Sequence, residues 1–362
     1  MSHTIGDWRP REKPPWALRR ELGAVMERIL LTHWRAPGDI TCMTACVRDL
    51  ALSYPGRFEI HVAGSCSELW QGNPHIAKSW GVRPPAGMRR YRLSCCDALV
   101  ECHKRQRHYL TAFHRDLEKQ LQTRVPVLLP KGDLHLSDME KKGRLIAGRY
   151  WLLVAGGKGD MPVKIWSTAR FQQVALRLRE SGIQFVQGGA MLEGHWNPEL
   201  TNVIDFRGKT DLRGFLRLIY QADGVLCASS FPMHVAAAFE KPCVVLAGGR
   251  EPWWWAAYTN TAVRQFGNDC TEVAVPHRYF HSIGQLDCCK VTGCWKSDVV
   301  RSDVQSSKVA CELPTDDSFR QIIPRCLADV SVEDVVDAIR AAKIGRTELR
   351  GFAEAAPKHN SY

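Results

Sequence analysis

Apolar runs and turn residues alternate from the start of the folded chain in a strand, turn, helix, strand rhythm. Arg28–Trp34 (RILLTHW) predicts a strand, Pro37-Gly38-Asp39 a tight turn, and about Ile40 to Ser53 a helix. Tyr54-Pro55-Gly56 stops that helix, and Phe58–Ala63 predicts the next strand. Asp97–Thr123 reads as one amphipathic helix and Pro126–Gly148 as a loop or linker. The rhythm then restarts with Tyr150–Ala155 as a buried strand ending in Gly156-Gly157. Ser167–Glu180 follows as a helix, Ile183–Gln187 as a strand, Leu212–Gln221 as a helix and Gly224–Ala228 as a strand. His234–Phe239 is a further helix, and Cys243–Ala247 a strand that runs into Gly248-Gly249.

This pattern predicts two α/β units, each with a parallel sheet. Glycines at the carboxyl ends of successive strands mark where such sheets leave room for phosphate and sugar. The halves join near residues 130–149, which puts the expected site in the cleft between them. No GxGxxG, GxSxG or P-loop pattern occurs.

Composition narrows the class. With 45% hydrophobic and 24% charged residues among 362, the chain is a folded protein long enough for two domains. The first 25 residues form a polar, Pro-rich arm without a signal-like apolar core, and no run of membrane-spanning length occurs, so a cytoplasmic location is expected. The formal charge is +11; Arg89–Arg149 holds 14 Lys/Arg against 7 Asp/Glu and so carries +7 of it. That patch fits an anionic partner, or simply a solvated face that includes His108.

Ser229-Ser230-Phe231-Pro232-Met233-His234, with its hydroxyls, early Pro and following alanines, predicts a helix start after a strand. Free N–H groups and the positive dipole end there suit a diphosphate, although an ordinary capped helix has the same pattern. The order Gly38-Asp39-Ile40, a strand ending in glycines, Lys164-Ile165-Trp166, Gly208-Lys209-Thr210-Asp211-Leu212, SSFPMHVAAA and KPCVVLAGG resembles glycosyltransferase family 9, the ADP-heptose:lipopolysaccharide heptosyltransferases. The resemblance runs from about Arg28 to Pro252. It implies a GT-B fold, with two Rossmann-like domains facing a central cleft, and an inverting transfer of a sugar from a nucleotide donor.

By that resemblance Asp39 is the general base and Gly38 lies beside the donor. Lys164 contacts the donor diphosphate, Asp205 the ribose, and Ser229, Ser230, Met233 and His234 the diphosphate-binding helix start. Taken by themselves, Asp39 would also fit a helix cap and Lys164 a surface lysine. The chain departs from the family where Ser229-Ser230-Phe231 stands for Asp-Ser/Thr-Gly, and where Ala45 stands for a proline.

Fourteen cysteines include Cys289, Cys294, Cys311 and Cys326, with Cys288 adjacent, a spacing suited to a tetrathiolate iron or zinc site, or else to free buried thiols. The spacing resembles the iron-binding motif of bacterial autotransporter heptosyltransferases. The other cysteines read as small core residues. A structural metal and no catalytic metal are therefore expected.

The expected division is an arm (1–25), an acceptor-side Rossmann-like domain (26–148), a nucleotide-sugar domain (149–284), a metal-binding cysteine insertion (285–328) and a C-terminal helix and tail (329–362). Ser331 opens that helix, expected to pack back on the first domain as in other GT-B enzymes. The expected function is transfer of heptose from ADP-heptose to a hydroxyl of a glycan or protein. The competing reading is a non-catalytic nucleotide-binding or assembly protein. A nucleic-acid partner is disfavoured by the long α/β core, and the oligomeric state, a homo-oligomer included, stays open.

Overall fold

The computed structural model describes residues 26–81, 86–267, 270, 272–300, 309–317 and 319–342. The first half opens with β1 (Glu27–His33), α1 (Pro37–Ser53), β2 (Phe58–Gly64), β3 (Lys78–Trp80) and β4 (Arg89–Arg92). These strands form a parallel sheet in the order β3-β2-β1-β4, with Leu30 opposite His61 and Leu31 opposite Tyr91. Three helices follow: α2 (Cys96–Lys104), α3 (Leu110–Leu121) and α4 (Asp138–Lys142).

The second half contains β5 (Trp151–Val154), β6 (Gly157–Lys158), α5 (Thr168–Glu180), β7 (Phe185–Gln187), β8 (His195–Trp196) and β9 (Ile204–Asp205). It continues with α6 (Leu212–Gln221), β10 (Gly224–Ala228), α7 (Phe231–Ala238), β11 (Cys243–Gly248), α8 (Trp253–Ala256) and β12 (Arg278–His281). Six of these strands make a parallel sheet in the order β12-β11-β10-β5-β7-β9, while β6 and β8 pair antiparallel apart from it. A hairpin of β13 (Pro314–Asp316) and β14 (Ile322–Pro324) leads to α9 (Arg325–Ala328) and to α10 at residues 332–342.

Strands β5, β10 and β11 are apolar throughout because helices cover both faces, as parallel sheets require. Helix α1 is buried all round from Ile40 to Leu50, since it lies against β2, α3 and, across the halves, α7. One core thus runs continuously from Ile29, Val47 and Leu50 to Val225, Val235 and Tyr258. A buried ion network fixes α1 further. Asp49 accepts from Arg48 Nε at 2.8 Å, His114 Nε2 at 2.9 Å and the Leu128 N–H at 3.1 Å. The Arg48 guanidinium also donates to the carbonyls of Leu129 and Lys131, at 2.9 Å each.

Several expectations need correction. Asp97–Thr123 is two helices rather than one, because the chain turns between them with Gln106 at φ 51°. His108 is buried rather than solvated, stacking on Phe266 with ring centroids 4.1 Å apart. Helix α10 packs against the second half, not the first. Its Val335, Val336 and Ile339 join Trp151, Phe171, Leu226 and Leu246 in a separate core. Arg170 locks the approach to it by donating to the carbonyls of Ala328 at 2.6 Å and Val330 at 2.8 Å. Among the described residues no helix is long and apolar enough to cross a membrane.

Candidate functional site

Two helix starts meet where the halves touch. Pro37 begins α1, so Asp39 stands in its first turn, and Pro232 is likewise in the first turn of α7, which Phe231 begins after the Ser230 cap. They approach so closely that a Cβ on Gly38 would lie 3.2 Å from His234 Cδ2 and 3.8 Å from the Phe231 Cα. The loop carrying α8 crosses to the first half as well. The His108 N–H donates to the Gln265 carbonyl at 2.9 Å and the Tyr109 N–H to the Trp255 carbonyl at 2.8 Å.

Asp39 keeps 22% of its side chain exposed and is held from two sides. The Tyr109 hydroxyl donates to Oδ1. His33 Nε2 lies 3.8 Å from Oδ2, beyond hydrogen-bonding distance. Burial raises the carboxyl pKa, but His33 and the Tyr109 hydroxyl together outweigh it and hold Asp39 below its usual 3.8. Asp39 is therefore an ionised, reachable proton acceptor at neutral pH. His234 is clamped behind it, with Nδ1 2.8 Å from the Tyr258 hydroxyl and 3.6 Å from Cys42 Sγ. Burial pushes its pKa down to about 4, so it stays neutral.

Lys164 ends a short 3-10 turn at Pro162–Lys164 and reaches across to the carboxyl ends of β10 and β11. Its Nζ is 2.6 Å from Glu251 Oε1 and 3.4 Å from the Ser229 carbonyl. The Ser229 hydroxyl donates to Glu251 Oε2 at 3.2 Å and receives the Tyr279 hydroxyl at 3.4 Å. Burial alone would raise the Glu251 pKa, yet Lys164 and Arg250 overcome it and keep the carboxylate ionised. Sequence reasoning missed Glu251, along with His33, Tyr109 and Tyr258. The signal for Glu251 was an acid three residues beyond β11, just after the Gly248-Gly249 turn.

The remaining sequence candidates are arranged unevenly. Ser230 caps α7 without a side-chain cap bond and turns its hydroxyl back to the Ala228 carbonyl at 3.2 Å. Met233 is fully buried, and its N–H bonds to the Ser230 carbonyl at 3.1 Å. Asp205 is on edge strand β9, three strands from β10, which is roughly 14 Å at normal sheet spacing. It is paired with Arg207 Nε at 2.9 Å, and Arg207 lowers its pKa.

The cysteine segment corrects a further expectation. Among the described residues no group of three or more Cys, His, Asp or Glu side chains is disposed to hold a metal, so iron or zinc on Cys289, Cys294, Cys311 and Cys326 does not stand. Packing holds this segment instead. The Cys294 N–H donates to the Gly249 carbonyl and the Trp295 N–H to the Arg250 carbonyl, at 3.0 Å each. The buried Cys289 thiol donates to the Ser282 carbonyl at 3.2 Å, and a Cβ on Gly249 would meet its sulfur at 2.7 Å. Gly248, at φ 62°, likewise leaves room for Cys326. Burial pushes the Cys326 thiol up to about 11 and lifts Cys294 and Cys311 as well, so all three keep their protons at neutral pH. The segment buttresses the turn that presents Glu251.

Comparison with known proteins identifies the fold and the family. The family model described as glycosyltransferase family 9 (heptosyltransferase) matches residues 75–274. No curated protein matches. Among solved structures, the glycosyl transferase family 9 protein from Veillonella parvula DSM 2008 is 14% identical, with a TM-score of 0.57 over 88% of this chain and 97% of that one. The E. coli ADP-heptose lps heptosyltransferase II is 16% identical, with a TM-score of 0.57 over 89% and 100%. The iron-containing dodecameric glycosyltransferase TibC from enterotoxigenic E. coli H10407 is 16% identical, with a TM-score of 0.57 over 88% and 77%. At these identities the structures speak for the fold, which is GT-B. The family match covers more than half of the chain, and the protein is a glycosyltransferase belonging to glycosyltransferase family 9.

Proposed function

We propose that the protein transfers heptose from ADP-heptose to a hydroxyl of a glycan or protein, with inversion at the anomeric carbon. Asp39 Oδ2 takes the proton of the attacking hydroxyl as that oxygen bonds to the anomeric carbon. The bond to the donor diphosphate breaks with its electron pair on the phosphate oxygen. Lys164 and the start of α7 at Ser229, Ser230 and His234 stabilise that charge, and Gly38 lets the base approach the donor helix. Asp205, at the far end of the sheet, takes the ribose. The observation that supports this reading best is the ionised carboxylate of Asp39 set against the start of α7, within one side chain of His234.

Calorimetric titration with ADP, UDP and GDP, followed by transfer assays on Asp39→Asn, tests it. ADP is expected to bind in preference to the others. The variant should keep ADP binding and lose turnover by about 10²–10⁴-fold. Preference for UDP or GDP would replace the donor assignment, and retained turnover would remove Asp39 as the base.

A further inference from the structure

Asp39 is well placed to remove a proton and badly placed to keep one. The Tyr109 hydroxyl donates to Oδ1 and favours the ionised carboxylate, so a proton gained from the acceptor hydroxyl has to move on. The groups facing the carboxylate from neighbouring elements are His33 on β1, Cys42 on α1, Cys95 after β4, Tyr109 before α3 and His234 on α7. Burial raises the thiols of Cys42 and Cys95 and the phenol of Tyr109, so all three keep their protons. Burial lowers His234 to about 4, and its Nδ1 already meets the Tyr258 hydroxyl.

His33 differs from all of them. Its ring is 3% exposed and held edge-on to Phe113, with centroids 5.2 Å apart. Nδ1 lies 2.5 Å from the Leu93 carbonyl, an acceptor only, so Nδ1 carries the hydrogen. That leaves Nε2 with a lone pair in the neutral ring. Nε2 is buried without a hydrogen-bond partner among the described residues and faces Asp39 Oδ2 from 3.8 Å. Buried polar atoms are normally satisfied, and one left open beside an active carboxylate has a use.

We propose that His33 is the proton sink of the transfer reaction, receiving at Nε2 the proton that Asp39 Oδ2 removes from the acceptor hydroxyl. The inference rests on Asp39 being the base. The acceptor O–H bond breaks, its electron pair forms the new bond to the anomeric carbon, and the proton ends on Nε2. The leaving diphosphate takes the electron pair of the broken donor bond, and His33 becomes an imidazolium facing a regenerated carboxylate. A swing of Asp39 by about 1 Å closes the gap to hydrogen-bonding distance. Imidazole suits the task because it both gains and releases protons near neutral pH. His33 acts through Asp39 and is a positioning and relay residue.

His33→Asn keeps an amide N–H where Nδ1 donates to Leu93 but removes Nε2. It is expected to lower kcat by ~10²-fold with the donor KM unchanged. The acid limb of its pH–rate profile should move to lower pH, because the profile then reports the carboxylate alone rather than the coupled pair. An unchanged kcat would overturn the relay, and so would a slower enzyme whose acid limb has not moved. A wild-type protein that transfers nothing refutes the base assignment on which the relay depends.

Discussion

Gly38→Ala separates the fold from the chemistry more cleanly than any other single change at this site. The added methyl would sit 3.2 Å from His234 Cδ2 and 3.7 Å from its Nε2. Carbon atoms pack comfortably at about 3.5–4.0 Å, so something must yield by roughly 0.5 Å. His234 cannot swing aside freely, being buried and tied to the Tyr258 hydroxyl at 2.8 Å. The start of α1 therefore has to lift away from α7, carrying Asp39 with it. For stability two effects nearly cancel. Alanine is favoured over glycine in a helix by ~0.5–1 kcal/mol, while overpacking costs ~1–3 kcal/mol. A net loss of about 0–2.5 kcal/mol is expected, which leaves the protein folded. Catalysis has no such compensation, since a misplacement approaching 1 Å costs on the order of 10²-fold. Thermal melting, ADP calorimetry and steady-state transfer should show a folded, ADP-binding protein with kcat down by at least ~10-fold. Wild-type kcat in a well-folded variant would refute the argument that this contact sets the position of the base.

Two further outcomes concern stability. His234 and His277 are buried and neutral, with pKa values pushed down by burial to about 4 and about 3 from 6.5. The unfolded chain therefore takes up these protons first, so their stability contribution is complete above pH 6.5 and is lost as the pH falls towards 4 and then 3. Urea unfolding across that window should lose ~3 kcal/mol through His234 alone, and His277→Phe should flatten the lower part of the curve. Arg48→Met leaves Asp49 without its guanidinium and the Leu129 and Lys131 carbonyls without their donor. It should destabilise by ~3–5 kcal/mol in urea unfolding, and a loss below ~1 kcal/mol would show that the network is not what holds α1.

The parts of the fold readable from sequence were those whose burial is local and continuous. β5, β10 and β11 are unbroken apolar runs and β1 and β2 are apolar with a few polar positions; all five end near glycine or turn residues, and each was placed within a residue or two. β4 escaped notice because only Tyr91 of Arg-Arg-Tyr-Arg is buried and the rest of this edge strand is charged and exposed. The break between α2 and α3 was hidden by an amphipathic pattern that continues through it, although that break places Tyr109 beside Asp39. Asp39, Lys164 and Ser229 were found because they lie in short segments that occur in a fixed order. His33, Tyr109 and Glu251 act through contacts with residues distant in the chain, which no local spacing reveals. The cysteines misled for the related reason that spacing suits ligands and packing alike. Only the three-dimensional arrangement places Cys289 and Cys326 beneath the Gly248-Gly249 turn.

The departures at Ser229 and Phe231 are also explained by this arrangement. A carboxylate missing from the end of β10 is supplied from the end of β11, because Ser229 donates its hydroxyl to Glu251, whose other oxygen holds Lys164. The charge next to the lysine is thus retained, although it comes from a different strand. Phe231 stands where a glycine would free the backbone, yet its ring stacks on Phe215 of α6, with centroids 5.9 Å apart and planes 26° apart. The Phe231 side chain therefore packs against α6. Glu251 can play this part only if its turn is rigid, and the hydrogen bonds from Cys294 and Trp295 to Gly249 and Arg250 hold that turn. The cysteine-rich segment, Glu251 and Ser229 therefore form one structural unit: the first steadies the turn, the turn presents the carboxylate, and the carboxylate bonds both Ser229 and Lys164.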